Sequence, residues 1–148
     1  MKKFLITLMA AASLCRLPAA ETAWLTDLPK AEAQAKAENK IVLMDFTGSD
    51  WCPACIRFDR EVLGSSTFQK YAAQNVVVVE VDFPQDKTQP DALKKANAAL
   101  QDQFKVEGFP TLVVLDKDGK EIGREAGYAA DGPEAFIAKL EKFKAGKS

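Results

Sequence analysis

The chain has 148 residues, of which 47% are hydrophobic, 28% charged and 9% aromatic, and its formal charge is −1. That length supports one domain with a real core, and the composition excludes wholesale disorder. No basic block points to nucleic acid, and the chain contains no histidine, the commonest metal ligand.

The opening stretch, residues 1–20, reads MKKFLITLMAAASLCRLPAA. Two lysines precede an apolar run too short to span a bilayer, and small residues follow, which is the pattern of a secretory signal cleaved near Ala19 or Ala20. Cys15 invites a lipoprotein reading, but Leu14 is too large for the residue before a lipidated cysteine, which argues against it. Removal of residues 1–20 takes away Lys2, Lys3, Arg16 and Cys15, and leaves Cys52 and Cys55 as the remaining cysteines. The expected organisation is a signal peptide over 1–20 and one domain over 21–148, exported to the periplasm or a comparable compartment where disulfides form and exchange.

The Ala-rich stretch 28–40, with Glu32 and Lys36 four apart, predicts a helix. Residues 41–46, IVLMDF, form a nearly continuous apolar run, as expected of a strand covered on both faces. The pair Cys52-Pro53-Ala54-Cys55 follows at once. A helix over 55–63 then places Cys55, Phe58, Val62 and Leu63 on one side, with Gly64 to end it. Residues 66–75 predict another helix and 76–83 a buried strand. After a loop over 83–90, residues 91–104 predict a helix capped by Asp91, with Leu93, Ala96, Leu100 and Phe104 as its apolar stripe. Strands over 111–116 and 120–128 join through DKDG as a hairpin. The last helix, 132–145, starts on Pro133 and turns Phe136, Ile137, Leu140 and Phe143 inward. Strand–helix–strand implies parallel pairing by a right-handed crossover, and the hairpin adds antiparallel strands. The expected fold is α/β, a central mixed sheet flanked by helices on both faces.

The cysteine pair sits where a buried strand gives way to a helix. Free N–H groups and a positive partial charge at the helix start favour a thiolate, and Cys52 gains most. Its pKa is expected in the depressed range of about 3.5 to 7.5. Cys55, one turn further in, can close a disulfide onto it, so Cys52 attacks and Cys55 resolves. Pro53 suits the first helical turn, where a missing N–H costs little. Zinc needs four ligands, which a His-free chain with one cysteine pair does not supply. A second signal is GFPT at 108–111. A proline entering a buried strand is either an ordinary strand start or a cis Phe109–Pro110 bond that leaves the Phe109 backbone free to meet an extended chain beside Cys52. The residues by themselves leave both open.

DFTGSDWCPAC, VDFP and GFPTLVVLDKDGK, with the amphipathic C-terminal helix, resemble the thioredoxin-fold family in order and spacing, over essentially all of residues 21–148. The lead-in is most similar to that of exported bacterial thioredoxin-like thiol:disulfide oxidoreductases. The resemblance implies Cys52 as nucleophile, Cys55 as resolving thiol and Pro110 as a cis-proline. It implies Phe109 and Thr111 in a substrate groove, Trp51 and Pro53 as its flank, and Asp45 as a buried carboxylate that relays a proton to Cys55. Asp45 is one residue further from the cysteines than in cytoplasmic thioredoxin. Glu80 stands where some relatives carry a lysine, and two acids buried together imply that one stays protonated. Asp50 reads as a solvated loop acid that turns the chain. As a charge beside Cys52 it would oppose the helix, weakly if exposed.

The expected function is protein thiol–disulfide oxidoreduction in the cell envelope, leaning reductase or isomerase. It uses no cofactor and no metal. Its partners are client proteins with cysteines or disulfides and a membrane electron donor, not nucleic acid, and the protein is a monomer. Without a histidine between its cysteines, the couple should lie between the family's extremes, which differ by about 150 mV, or roughly 7 kcal/mol for two electrons. One alternative is a binding or chaperone module with an inert disulfide, against which the expected exposure of the Cys52 thiolate argues. Another is a copper(I) carrier with Met44 as third soft ligand.

Overall fold

The computed structural model describes residues 24–146, so the expected signal segment and Cys15 lie outside the described residues. The elements run α1 (Leu28–Glu38), β1 (Ile41–Thr47), α2 (Pro53–Phe58), a π-helical turn (Asp59–Leu63), α3 (Ser66–Asn75), β2 (Val76–Asp82), α4 (Asp91–Gln103), β3 (Thr111–Leu115), β4 (Glu121–Ala126) and α5 (Gly132–Lys144). The sheet order is β2-β1-β3-β4. β1 pairs parallel with β2 and antiparallel with β3, and β3 pairs antiparallel with β4. The expected α/β architecture, a mixed central sheet between helices, is the one observed.

Period-two alternation explains how β1 serves two cores. Ile41 and Leu43 face a core with Phe58, Val62, Leu63, Phe68, Phe136 and Leu140, so α2, the π turn, α3 and α5 cover that face. Val42, Met44 and Phe46 face a second core with Leu28, Ala31 and Ala35 of α1. Every residue of β1 is buried, which is why its apolar residues do not alternate with exposed polar ones; Asp45 and Thr47 are buried as well. Asp45 falls in the 41, 43, 45 series, on the side of the cysteine helix. Its partner across the parallel register is Glu80.

Caps fix the helix starts. Asp27 Oδ1 accepts the Lys30 N–H at 3.0 Å, and Ser65 Oγ accepts that of Phe68 at 3.1 Å, each contributing about 1 kcal/mol. α1 stops at Glu38 because Asn39 turns left-handed, φ 54°. α2 begins at Pro53, in keeping with its fit to a first helical turn and two residues ahead of the apolar stripe that starts at Cys55. It then widens into the π turn, closed by the Gly64 N–H donating to the Asp59 carbonyl at 2.7 Å. Gly64 itself stays right-handed at φ −79°, and the chain turns by the Ser65 cap that follows.

Two expectations about α4 are corrected. Asp91 is its first helical residue and no side chain caps it, because Pro90 occupies the cap position. The inward stripe runs through Asn97, not Ala96, which is exposed. Asn97 is 1% exposed, and its Nδ2 donates to the Asp82 carbonyl at 2.9 Å. A polar side chain wins the buried position because it satisfies the end of β2.

Candidate active site

β1 ends at Thr47, and a tight turn leads into α2. The Trp51 and Cys52 N–H groups both donate to the Gly48 carbonyl, at 3.3 and 3.0 Å. This turn makes Cys52 the N-cap of α2, with extended backbone at φ −87°, ψ 107°, and Pro53 in the first turn. Cys52 Sγ accepts the Cys55 N–H at 3.3 Å, and Cys55 Sγ accepts the Gly48 N–H at 3.5 Å. The two cysteines form a disulfide. Both sulfurs therefore sit where backbone donors favour negative charge.

Cys52 is less exposed than the sequence suggests, at 5%, against 2% for Cys55. Its neighbours provide the accessible surface. Trp51 and Ile56 are exposed large hydrophobics, at 39% and 41%, and Pro53 is exposed between them. An apolar rim thus surrounds a recessed sulfur.

The Phe109–Pro110 bond is cis, as the resemblance implies. The Phe109 carbonyl oxygen lies 3.8 Å from Cys52 Sγ. Phe109 also meets the Trp51 ring edge-on at 6.1 Å and stacks on Phe83 at 4.9 Å. The indole Nε1 of Trp51 donates to the Phe83 carbonyl at 2.8 Å. A groove of about 430 Å3 runs past Glu107, Gly108, Phe109, Pro110 and Thr111 to Gly127. Thr111 is buried, and its Oγ1 donates back to the Gly108 carbonyl at 2.7 Å, so this side chain shapes the loop from within. A roomier groove of about 670 Å3 lies between β4 and α5, away from the cis bond; neither groove is lined by a cysteine. Its charged residues pair with one another, as in Arg124–Glu121 and Lys139–Glu125.

Asp45 and Cys55 line one cavity of about 170 Å3, together with Asp59 and Glu80. The longer lead-in therefore does not separate Asp45 from the cysteine pair. Asp45 is 2% exposed, and its Oδ1 has no hydrogen-bond partner among the described residues. Burial, with Glu80, Asp59 and Asp82 nearby, pushes its pKa from 3.8 to about 8. Glu80 is also raised, by burial first and then by Asp82 and Asp59. Asp59 is raised by burial. The expectation of a protonated acid in this group agrees with these directions. Met44, by contrast, packs in the core on the other face of the sheet, where it cannot join the sulfurs as a third ligand.

Asp50 is not a freely solvated turn residue. Its carboxylate accepts the N–H groups of Gln85, Asp86 and Lys87 at 3.0, 2.9 and 2.8 Å. These bonds, Gln85's first, hold it below the usual carboxylate range. Ser49 adds a second link, its N–H and Oγ both donating to Asp82. The lead-in is thereby stapled to the loop over 83–90. Sequence reasoning also missed Gly48. A Cβ there would come within 2.5 Å of the Trp51 ring, so the indole can lie over this turn only if the position is glycine. A glycine three residues before a tryptophan in a turn was the available signal.

Residues 28–144 match a family described as the thioredoxin-like domain. The chain is 40% identical over 107 residues to the disulfide bond reductase DsbH of Chlamydia pneumoniae, covering 72% of this chain and 64% of that protein. It is 33% identical over 128 residues to the thioredoxin-related protein DsbJ of the same organism, covering 82% of this chain and 37% of that one. It therefore spans less than two thirds of either relative. A solved structure of a DsbH oxidoreductase superposes with a TM-score of 0.74 at 34% identity, covering 90% of this chain and 94% of that one. The family match and these likenesses in sequence and in structure agree, and the chain belongs to the thioredoxin-like domain family.

Proposed function

We propose that the protein is a thiol–disulfide oxidoreductase of the cell envelope, working mainly as a reductase or isomerase on client proteins. The observation that carries this reading is the Cys52–Cys55 disulfide at the start of α2, with Cys52 Sγ beside the Phe109 carbonyl. The names of the relatives, disulfide bond reductase and thioredoxin-related protein, agree with it.

In the reducing direction the Cys52 thiolate attacks one sulfur of a client disulfide. A Cys52–client disulfide forms, and the other client sulfur leaves as a thiolate. Cys55 then loses its proton into the cavity it shares with Asp45, where the relay role assigned to Asp45 belongs. The Cys55 thiolate attacks Cys52 Sγ, the intramolecular disulfide closes, and the second client sulfur departs. Two electrons have passed from the dithiol to the client. Trp51, Pro53 and Phe109 supply apolar contact for residues flanking the client cysteine, and the groove beside Pro110 accommodates its extended backbone. Turnover needs a donor of reducing equivalents outside the cytoplasm, for which a membrane protein is the natural class. The leader-like N-terminal segment supports the envelope assignment. Among the described residues, no helix is long and apolar enough to cross a membrane.

Cys55→Ala removes the resolving thiol. With a disulfide-containing peptide as probe, this variant accumulates a mixed disulfide at Cys52, seen as added mass that dithiothreitol removes. A Cys55→Ala protein that gains no such mass, while the unaltered protein leaves the same peptide oxidised, would overturn the reading in favour of a binding module.

A further inference from the structure

Asp45 of β1, Glu80 of β2 and Asp59 of the π turn share one cavity with Cys55. Asp82, at the end of β2, adds its negative charge to Asp45 and Glu80. Among the described residues, the cation lining this cavity is Lys87, from the loop over 83–90. Two anchors place it there. Its backbone N–H donates to Asp50 at 2.8 Å, beside those of Gln85 and Asp86. Its Nζ donates to Ser49 Oγ at 3.2 Å, and that hydroxyl donates onward to Asp82 at 2.6 Å. The backbone is held by one acid and the ammonium by the hydroxyl of the adjacent residue.

A positive charge at a cavity lowers the cost of every negative charge inside it. Lys87 opposes the burial that raises Asp59 and Glu80. The same charge acts on any thiolate formed at Cys55. The N–H of Gly48 also favours that thiolate, whereas the surrounding carboxylates oppose it.

We propose that Lys87 is a positioning residue for the resolving step: held by Ser49 and by the Asp50 clamp, its ammonium offsets the acids behind Cys55 and lets Cys55 give up its proton nearer neutral pH. The inference rests on the reading of Cys55 as the resolving thiol. In that step the Cys55 proton passes into the cavity and the Cys52–client bond breaks as the Cys52–Cys55 bond forms. The client sulfur leaves as a thiolate with the displaced electron pair.

The test titrates the thiol directly and needs no client. In a Cys15→Ser, Cys52→Ala protein, Cys55 is the remaining cysteine, and its ionisation is followed by thiolate absorbance. Adding Lys87→Met raises the midpoint by about half a pH unit to one unit, a partial effect because Lys87 is exposed to screening. Lys87→Arg leaves the midpoint near that of the lysine protein. Equal midpoints with and without Lys87→Met overturn the inference, as does a shift from Lys87→Arg as large as that from Lys87→Met. Failure of the oxidoreductase reading would show instead in the trapping experiment, which does not depend on this titration.

Discussion

Single residues decide whether the sulfur can be reached. The indole of Trp51 does two jobs: its Nε1 bonds the Phe83 carbonyl, and its ring meets Phe109. Both depend on Gly48, since a methyl group there would sit within 2.5 Å of the ring. The ring is bulky and anchored, so relief must come from moving it or the turn. Gly48→Ala is therefore expected to cost about 1–3 kcal/mol, the usual penalty for overpacking. It should also shift the Trp51 fluorescence as the bond to Phe83 is lost. Urea unfolding together with emission spectra checks this, and an alanine variant of unchanged stability and spectrum would show that the turn adapts freely. The glycine was present in the sequence, but its reason was not. Composition and spacing announce a cysteine pair, while the close approach of an indole exists only once the turn is built.

At the scale of elements, the site depends on a loop that belongs to neither cysteine. Residues 83–90 carry no periodic pattern, and the sequence shows them only as a connection. The structure makes them one wall of the site through the Asp50 staple and the bond from Lys87 Nζ to Ser49 Oγ. Asp50→Asn keeps the shape but presents a weaker acceptor without charge. Amide exchange at Gln85, Asp86 and Lys87 should accelerate about tenfold or more, as expected when a local opening becomes easier, while amides of β1 keep their protection. Because the folded state depresses this carboxyl, the staple is intact at neutral pH and is lost as pH falls through the folded-state pKa, so wild-type protection at 85–87 should fall in acid. Unchanged exchange in both experiments would mean that the loop is held by other contacts. The elements themselves were legible where burial imposes a period. β1, β2, β3 and the buried positions of α2 and α5 follow from runs and stripes of apolar residues. The misses share a cause. Ala96 and Asp91 satisfy local rules of amphipathicity and capping, but Asn97 and Pro90 are placed by what the end of β2 and the preceding loop require. Likewise the π turn buries Val62 and Leu63 side by side, an arrangement that no local propensity encodes.

For the whole molecule, the acid group behind Cys55 means that function is carried at a cost in stability. The sequence placed Asp45 in a buried strand and Glu80 in its neighbour, so their meeting was foreseeable from parallel pairing. Their sharing of one cavity with Asp59 and Cys55 was not, because it requires the register of β1 against β2 and the geometry of the π turn together. The consequence can be worked through with its sign. Asp45 titrates near 3.8 when unfolded and near 8 when folded. Between those values the folded state holds a proton that the unfolded state has released, so folding stability falls as pH rises. Below about pH 4 both states are protonated and the penalty vanishes; above pH 8 it is complete. Asp45→Asn removes the ionisable group with little change of shape. The oxidised variant should therefore be more stable than the oxidised parent at pH 8 by at least about 2 kcal/mol, with the difference shrinking steadily toward pH 4. Urea denaturation of both proteins at pH 4, 6 and 8 supplies the comparison. Glu80 and Asp59 are present in both proteins, so the difference between the two curves reports Asp45 together with its coupling to these acids. Curves that run parallel across this range would mean that Asp45 is as easily ionised in the folded protein as outside it, and the relay would lose its physical basis.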